Sequence, residues 1–152
     1  LYEQAVDVLS TQTRKPENYE DLIIKAAKIK AGIVEKDEFE KGPRRVLNLG
    51  HTYGHAIEWY QHTNGEEAPL THGEAVAVGI IKAAALSERR GISELGLESK
   101  LRDDFRRCGL PVDLPCPEDM LDEAVRKDKK AEGGKVKFVF IEKIGKVSIQ
   151  DL

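Results

Sequence analysis

The sequence has little of several features that mark large protein classes. No apolar run reaches about 18 residues, the length at which a helix can cross a bilayer. The net charge is only −3, so the concentrated positive surface that nucleic acids require is not predicted. The two cysteines, Cys108 and Cys116, form neither a disulfide framework nor a C-x-x-C metal pair, and we expect two inert reduced thiols. These shortages argue against a membrane-spanning, nucleic-acid-binding or disulfide-rich protein.

What is present is the composition of a globular domain. Among 152 residues, 40% are apolar and 34% are charged, enough to bury one core and keep a hydrated surface. We therefore expect a single domain over residues 1–152. The chain begins at Leu1 and its one methionine is Met120, from which we expect a piece of a longer protein. No signal-peptide pattern opens the chain, so the expected location is cytoplasmic.

Hydrophobic periodicity predicts a mainly helical fold that ends in a β-hairpin. The predicted helices cover residues 2–10, 19–36, 51–62, 71–90, 97–108 and 120–127. Thr71 and Glu74 form a capping box before an apolar run that covers most of its helix, which predicts a buried central helix. Alternating apolar residues predict two strands around a turn at residues 143–146: Val136, Phe138 and Phe140, then Val147 and Ile149.

The histidines form an unusual cluster. All four (His51, His55, His62 and His72) fall within 22 consecutive residues. Positions four and seven apart stack on a helix, so four possible metal ligands share an arc of about 60°: His51, His55, Glu58 and His62. His72 begins the next helix and brings a candidate from a second element. Two histidines spaced i, i+4, as His51 and His55 are, can chelate one divalent cation. His62 lies beside a polar loop and is interpreted as a surface residue.

Three glycines, Gly50, Gly54 and Gly73, flank these histidines. Glycine lets backbone or substrate approach closely, and inside a helix it costs about 1 kcal/mol relative to alanine. The alternative is that the histidines are ordinary surface or core residues. The clustering and the glycines together favour a functional site.

A lysine lies on the apolar face of the predicted second helix. We expect this face to pack on the core; it consists of Tyr19, Leu22, Ile23, Ala26, Ile29, Ile33 and Val34. Lys30 falls inside the same arc, so it must extend to solvent, form an ion pair or serve a site. Glu40, Arg44 and Arg45 add charge just before the histidines, and arginine suits the binding of carboxylate or phosphate.

Two strings carry a family resemblance. The string N-L-G-H-T-Y-G-H-A-I-E at residues 48–58 resembles the signature of 3-dehydroquinate synthase, and T-H-G-E-A-V-A-V-G at residues 71–79 matches after it. Lys30, Arg44 and the triplet at residues 128–130 fit the same family at matching intervals. The resemblance covers about residues 20 to 150.

The resemblance implies the C-terminal helical, metal- and substrate-binding domain of that enzyme, mainly α with a small hairpin. The whole enzyme would be a carbon–oxygen lyase that converts 3-deoxy-D-arabino-heptulosonate 7-phosphate to 3-dehydroquinate and phosphate. This reaction belongs to the shikimate pathway of aromatic amino-acid biosynthesis. It would need NAD and a divalent metal, zinc or alternatively cobalt, and the full-length protein is expected to be a homodimer.

The resemblance also implies roles for individual residues. His51 and His72 match the two histidine ligands of the metal, and His55 matches a third active-site histidine near the substrate phosphate. Further positions match residues that contact or surround the substrate: Lys30, Glu40, Arg44, Asn48 and one of Lys129 and Lys130.

The sequence departs from the family pattern in two ways. The metal-binding glutamate of the family lies upstream in an A-E-x-x-K stretch, and nothing equivalent precedes Leu22. No G-x-G-x-x-G follows a predicted strand, so the N-terminal NAD-binding domain is expected to be absent from this chain. We therefore expect little or no turnover from the chain alone.

Three alternatives stay open at this point. A related sugar-phosphate cyclase would share most of these residues. A metal-dependent alcohol or glycerol dehydrogenase domain would share H-x-x-x-H and a later His-Gly, but Asn48-Leu49-Gly50 and Asp128-Lys129-Lys130 favour the synthase. A non-catalytic interaction domain would retain the histidines without binding metal.

Overall fold

The computed structural model describes residues 1–10, 16–39, 42–131 and 137–152; the side chains of residues 16, 18, 124, 125 and 127–131 lie outside the description. The mainly helical prediction is confirmed. The described elements are α1 (Tyr2–Ser10), α2 (Pro16–Lys36), a 3-10 helix (Pro43–Asn48), α3 (His51–Asn64), α4 (His72–Arg89), α5 (Leu97–Arg107), α6 (Glu118–Ala131), β1 (Lys137–Lys143) and β2 (Lys146–Asp151). None of the described helices combines the length and hydropathy needed to cross a membrane.

Several helix boundaries differ from the prediction, and the structure adds one element. Helix α2 begins at Pro16 because proline is tolerated in the first helical turn, where its missing N–H has no partner to lose. The 3-10 helix was not predicted. The Asp37 carboxylate organises its entry by accepting the backbone N–H groups of Gly42 (2.8 Å) and Arg44 (3.0 Å).

The predicted capping box at the start of α4 is confirmed. The backbone N–H of Thr71 donates to Glu74 Oε2 at 2.8 Å, and the Glu74 N–H donates to Thr71 Oγ1 at 3.4 Å. Hydrogen bonds from the Thr71 side chain and backbone lower the pKa of the Glu74 carboxyl. The motif fixes where α4 begins, and therefore where His72, its first residue, is placed.

The core lies between α3, α4, α6 and the hairpin. Its largest buried members include Ile57, Val78, Leu121, Phe138 and Phe140. The predicted central position of α4 is confirmed, since its inward residues are almost fully buried. Cys116 belongs to this core, where burial raises the pKa of its thiol, as expected for an inert cysteine.

The hairpin is confirmed, but β1 is more buried than strict alternation predicts. It pairs antiparallel with β2, and the four consecutive residues Phe138 to Ile141 are all buried. The aromatic side chains join the main core, whereas Ile141 packs with Ala84 and Leu101 in a second cluster. Strand β1 therefore separates two apolar clusters. Val136 lies outside the described residues.

A buried serine joins α4 to β1. Ser87 Oγ donates to the Ala83 carbonyl at 2.7 Å and accepts the Ile141 backbone N–H at 3.0 Å. The serine is fully buried, so this bond satisfies a backbone donor that water cannot reach.

Helices α3 and α4 meet almost backbone to backbone. A Cβ atom built on Gly79 would lie 2.2 Å from the Gly50 carbonyl oxygen, and one on Gly54 would lie 3.2 Å from Val76 Cα. Gly50 also has φ +78°, a left-handed conformation that glycine adopts without strain. The prediction of close approach is confirmed at Gly50 and Gly54. At Gly73 a Cβ would meet nothing within 4 Å, so no backbone approaches there, and the approach of a substrate at this glycine stays a prediction.

The expectation that the apolar arc of α2 packs on the core is wrong within the described chain. Of that arc only Leu22 is buried, while Ile23 is 65% and Ile29 52% exposed. Lys30 is exposed as well, so it is not a cation trapped in a core stripe. The apolar periodicity correctly identifies a face of α2 that would gain from burial. It cannot tell whether the surface that covers this face belongs to the same chain.

A buried carboxylate ties α1 to α5. Asp104 is 5% exposed and accepts hydrogen bonds from Tyr2 Oη (2.8 Å) and Lys100 Nζ (2.8 Å), with Arg107 at 3.3 Å. The bond from Lys100 is the main cause that lowers the Asp104 pKa, whereas burial and the hydrogen bond to Asp104 raise the pKa of Tyr2.

The glycine contact predicts that Gly79→Ala destabilises the chain by about 3 kcal/mol or more, because the new methyl group would overlap the Gly50 carbonyl. Gly73→Ala is the matched control. It should leave the free energy of unfolding unchanged or raise it by up to about 1 kcal/mol, through helix propensity. Urea unfolding followed by circular dichroism measures both. Equal stability of the two variants would contradict the close approach of α3 and α4.

The Asp104 network predicts a pH-dependent stability. Asp104→Asn should lower the free energy of unfolding at pH 7 by about 1–2 kcal/mol, since hydrogen bonds to a carboxylate are lost. A lowered folded pKa means that the stabilisation is present above the ordinary value of 3.8 and is lost as the pH falls through the folded value. The difference between the wild-type chain and the variant should therefore shrink below about pH 4.

Asp103→Asn is the control for the Asp104 prediction. Its side chain is 71% exposed and pairs with the exposed Arg106, so a change below about 0.5 kcal/mol is expected. Urea titrations between pH 7 and 3 measure both variants. A difference for Asp104→Asn that stays constant over this range would contradict the assignment.

Candidate metal and substrate site

The first part of the site is built by the entry into α3. Gly50, in its left-handed conformation, lets the chain turn from the 3-10 helix directly into α3, so His51 lies in the first turn. His51 Nδ1 lies 3.3 Å from the Leu49 carbonyl oxygen. A carbonyl can only accept, so in the neutral imidazole this contact favours the tautomer with the proton on Nδ1 and the lone pair on Nε2.

Three imidazole rings come together from two helices. The ring centroids of His51 and His55 lie 5.5 Å apart, those of His51 and His72 5.3 Å, and those of His55 and His72 6.0 Å. The prediction that His51 and His55 share a face, with His72 contributed by the next helix, is confirmed. His62 lies exposed near the end of α3, as expected for a surface residue.

A glutamate joins this cluster. Glu58 Oε1, from α3, lies 3.0 Å from Nδ1 of His72, at the start of α4. Donor atoms of His55, Glu58 and His72 all lie within 4.8 Å of one another. The sequence placed Glu58 among four possible metal ligands on the histidine face, but it did not predict the contact between Glu58 and His72.

The donor set suits a divalent cation. Imidazole nitrogen and carboxylate oxygen are ligands that zinc and cobalt accept, and here they converge from two helices whose backbones are in contact. His51 lies beside this set, with its ring centroid 5.3 Å from that of His72. The residues present therefore fit a metal site.

The other predicted site residues lie on neighbouring elements. Asn48 ends the 3-10 helix, two residues before Gly50, and Arg44 lies in the same helix. The Arg44 guanidinium donates to the Glu38 carbonyl at 2.7 Å, so it also holds the loop after α2. Lys30 is exposed on α2, which contacts the 3-10 helix. Roles for Lys30, Arg44 and Asn48 in binding substrate remain predictions.

Three predicted residues fall outside the described part of the chain. Glu40 lies in an undescribed segment, and the side chains of Lys129 and Lys130 are not described, although α6 extends to Ala131. Sequence reasoning missed two residues that shape the site region. Asp37 accepts backbone N–H groups at the start of the 3-10 helix. Gly79 lets α4 approach α3, and its occurrence as an isolated glycine in an apolar helical run was the available signal.

Sequence comparison identifies the relatives. Residues 1–131 match the family profile described as 3-dehydroquinate synthase C-terminal. The chain is 43% identical over 135 residues to a 3-dehydroquinate synthase of Pyrococcus abyssi, covering 89% of this chain and 38% of that protein. It is 39% identical over 134 residues to one of Enterococcus faecalis, covering 88% and 36%. The chain thus spans less than half the length of these relatives.

Solved structures share the fold. A 2-epi-5-epi-valiolone synthase from Streptomyces hygroscopicus, with NAD⁺ and Zn²⁺ bound, superposes with a TM-score of 0.77 at 21% identity, covering 99% of this chain and 42% of that one. A 2-deoxy-scyllo-inosose synthase, complexed with carbaglucose-6-phosphate, NAD⁺ and Co²⁺, superposes with a TM-score of 0.73 at 24% identity, covering 91% and 40%. On the match over residues 1–131 and these identities, the chain belongs to the 3-dehydroquinate synthase family and corresponds to its C-terminal domain.

Proposed function

We propose that this chain is the metal- and substrate-binding domain of an enzyme that converts 3-deoxy-D-arabino-heptulosonate 7-phosphate to 3-dehydroquinate and phosphate. The convergence of three imidazoles from α3 and α4, 5.3 to 6.0 Å apart, is the observation that carries the proposal. Identity of about 40% to proteins named 3-dehydroquinate synthase supports it over the cyclases, which resemble the chain only in fold.

His51 and His72 would hold the metal through Nε2. In both residues Nδ1 faces an oxygen of the protein, the Leu49 carbonyl or the Glu58 carboxylate, so the neutral imidazole would carry its proton on Nδ1 and offer Nε2 to the metal. Zinc is the metal proposed, with cobalt as the alternative. Once bound, the ion would supply Lewis acidity that polarises a hydroxyl or carbonyl of the substrate. A third protein ligand, a glutamate, would come from a region outside this chain.

The remaining residues would bind and orient an anionic substrate. His55 is exposed beside the two proposed ligands, where its imidazole can donate to a phosphate oxygen or carry a proton. Lys30, Arg44 and Asn48 would contact the substrate's carboxylate, hydroxyls or phosphate. Holding a flexible sugar acid in one pose removes orientational entropy from each following step.

Glu40 and one of Lys129 and Lys130 would complete the substrate pocket. NAD would be held outside this chain, because no glycine-rich loop follows a strand in its sequence.

The exposed arc of α2 supports the presence of a further domain. Ile23 and Ile29 are 65% and 52% exposed, so this apolar face would gain from burial, and Lys30 lies between them in the arc. Relatives extend well beyond the matched region, which fills 38% of the Pyrococcus protein. We propose that the NAD-binding domain covers this face, which would turn Lys30 towards a cleft between the domains. Assembly of the whole enzyme as a cytoplasmic homodimer remains part of the proposal.

Metal binding is expected for the chain on its own. Isothermal titration with Zn²⁺ should give one site, and His51→Ala or His72→Ala should weaken it by more than about 100-fold, since losing a ligand costs more than losing an outer hydrogen bond. His62→Ala is the matched control and should bind like the wild-type chain. An absence of zinc binding by both the wild-type chain and the full-length protein would instead favour a non-catalytic interaction domain.

Activity is expected only when the missing part is restored. The full-length protein, given NAD, Zn²⁺ and the heptulosonate phosphate, should release phosphate, whereas the chain alone should not. The double variant His51→Ala/His72→Ala should release phosphate at least about 1,000-fold more slowly, because the electrostatic stabilisation supplied by the metal is lost. Phosphate release that survives the double substitution would contradict the metal assignment. Release of phosphate without 3-dehydroquinate as the carbocyclic product would favour a related cyclase.

A further inference from the structure

We propose that Glu58 is a positioning residue that holds the His72 imidazole in its metal-binding orientation. The inference rests on the proposed function in one respect, namely that His72 is a metal ligand. It goes further by assigning a role to a side chain that neither binds substrate nor, in this proposal, touches the metal.

The hydrogen bond fixes which nitrogen of His72 carries the proton. Glu58 Oε1 lies 3.0 Å from His72 Nδ1, and a carboxylate only accepts. In the neutral imidazole the proton therefore belongs on Nδ1, and Nε2 keeps the lone pair that a metal needs. Metal-binding histidines commonly donate their second ring N–H to a carboxylate, which orients the ring and raises its basicity.

His72 needs such a restraint more than a buried ligand would. It is the first residue of α4 and its side chain is 55% exposed, so packing restrains the ring only in part. The Glu58 side chain is 33% exposed and projects from α3, the helix that carries His51. The bond thus links the two helices that supply the proposed ligands. Without this hydrogen bond, the His72 ring would rotate freely in the metal-free chain. Binding would then have to remove that freedom, so the metal affinity would fall.

A competing role for Glu58 is that of a direct ligand. The donor atoms of His55, Glu58 and His72 lie within 4.8 Å of one another, so a cation could be held by these three side chains. In that arrangement the carboxylate oxygen that faces Nδ1 of His72 would have to turn towards the ion. The two roles make opposite predictions for glutamine, whose amide oxygen can accept from Nδ1–H but is a poor metal ligand.

Zinc titration of the 152-residue chain separates these roles. Glu58→Ala should weaken zinc binding by about 10- to 100-fold, the usual effect of removing a carboxylate behind a ligating histidine. Glu58→Gln should recover most of that loss and bind within about 5-fold of the wild-type chain, because the hydrogen bond to Nδ1 is kept. Glu94→Gln, an exposed glutamate between α4 and α5, is the control for loss of one negative charge.

A second readout does not depend on metal. Nitrogen-15 NMR of the metal-free chain should show His72 as the Nδ1–H tautomer in the wild-type protein and in Glu58→Gln. Glu58→Ala should shift His72 towards the mixture of tautomers found in a free imidazole. Circular dichroism melting of each variant establishes that the fold is retained.

The outcomes distinguish this inference from the proposed function. Zinc binding by Glu58→Ala within twofold of the wild-type chain, or an unchanged His72 tautomer, would overturn the positioning role alone. Glu58→Gln binding as weakly as Glu58→Ala, with a changed Co²⁺ absorption spectrum, would establish a direct ligand and overturn it as well. An absence of zinc binding by both the wild-type chain and the full-length protein, or binding unaffected by His72→Ala, would contradict the proposed function and this inference with it.

Discussion

The histidine cluster depends on how closely α3 and α4 approach each other. Gly79 presents only hydrogen towards the Gly50 carbonyl, and Gly54 lies against the Val76 backbone, so the two helices touch without intervening side chains. This contact holds the first turn of α3, which carries His51, against residues 76–80 of α4, one turn after His72. A helix pair spaced by ordinary side chains is typically separated by 8–10 Å, which would move the rings apart. The glycines therefore set the geometry of the site.

The rest of the fold holds this pair in place. The Thr71–Glu74 capping box determines the residue at which α4 begins, and Ser87 anchors the other end of the same helix to β1. Strand β1 is buried on both faces and fills the space beneath α3 and α4 with aromatic side chains. A metal site needs the support of rigid helices on a well-packed core, because small displacements of a ligand lower the metal affinity. The histidine side chains can therefore be exposed to solvent while the helices and the strand that support them are packed in the core.

The sequence was enough to predict most helices, the hairpin and the histidine cluster, but not every residue that contacts them. Local signals sufficed for the capping box, the hairpin and the shared face of His51 and His55, since each depends on residues a few positions apart. Gly79 and Glu58 could not be assigned in the same way, because their roles depend on contacts between α3 and α4. The arc of α2 was misassigned to the core, since periodicity identifies an apolar face without identifying what covers it.

The central claim is that His51 and His72 together hold a divalent metal. Anomalous diffraction at the zinc edge, from crystals of the chain grown with Zn²⁺, tests it most directly. The account predicts one peak about 2.0–2.1 Å from Nε2 of both residues, with Glu58 still bonded to Nδ1 of His72. A peak coordinated by His55 and Glu58 without His51, or no peak in the cluster, would contradict it.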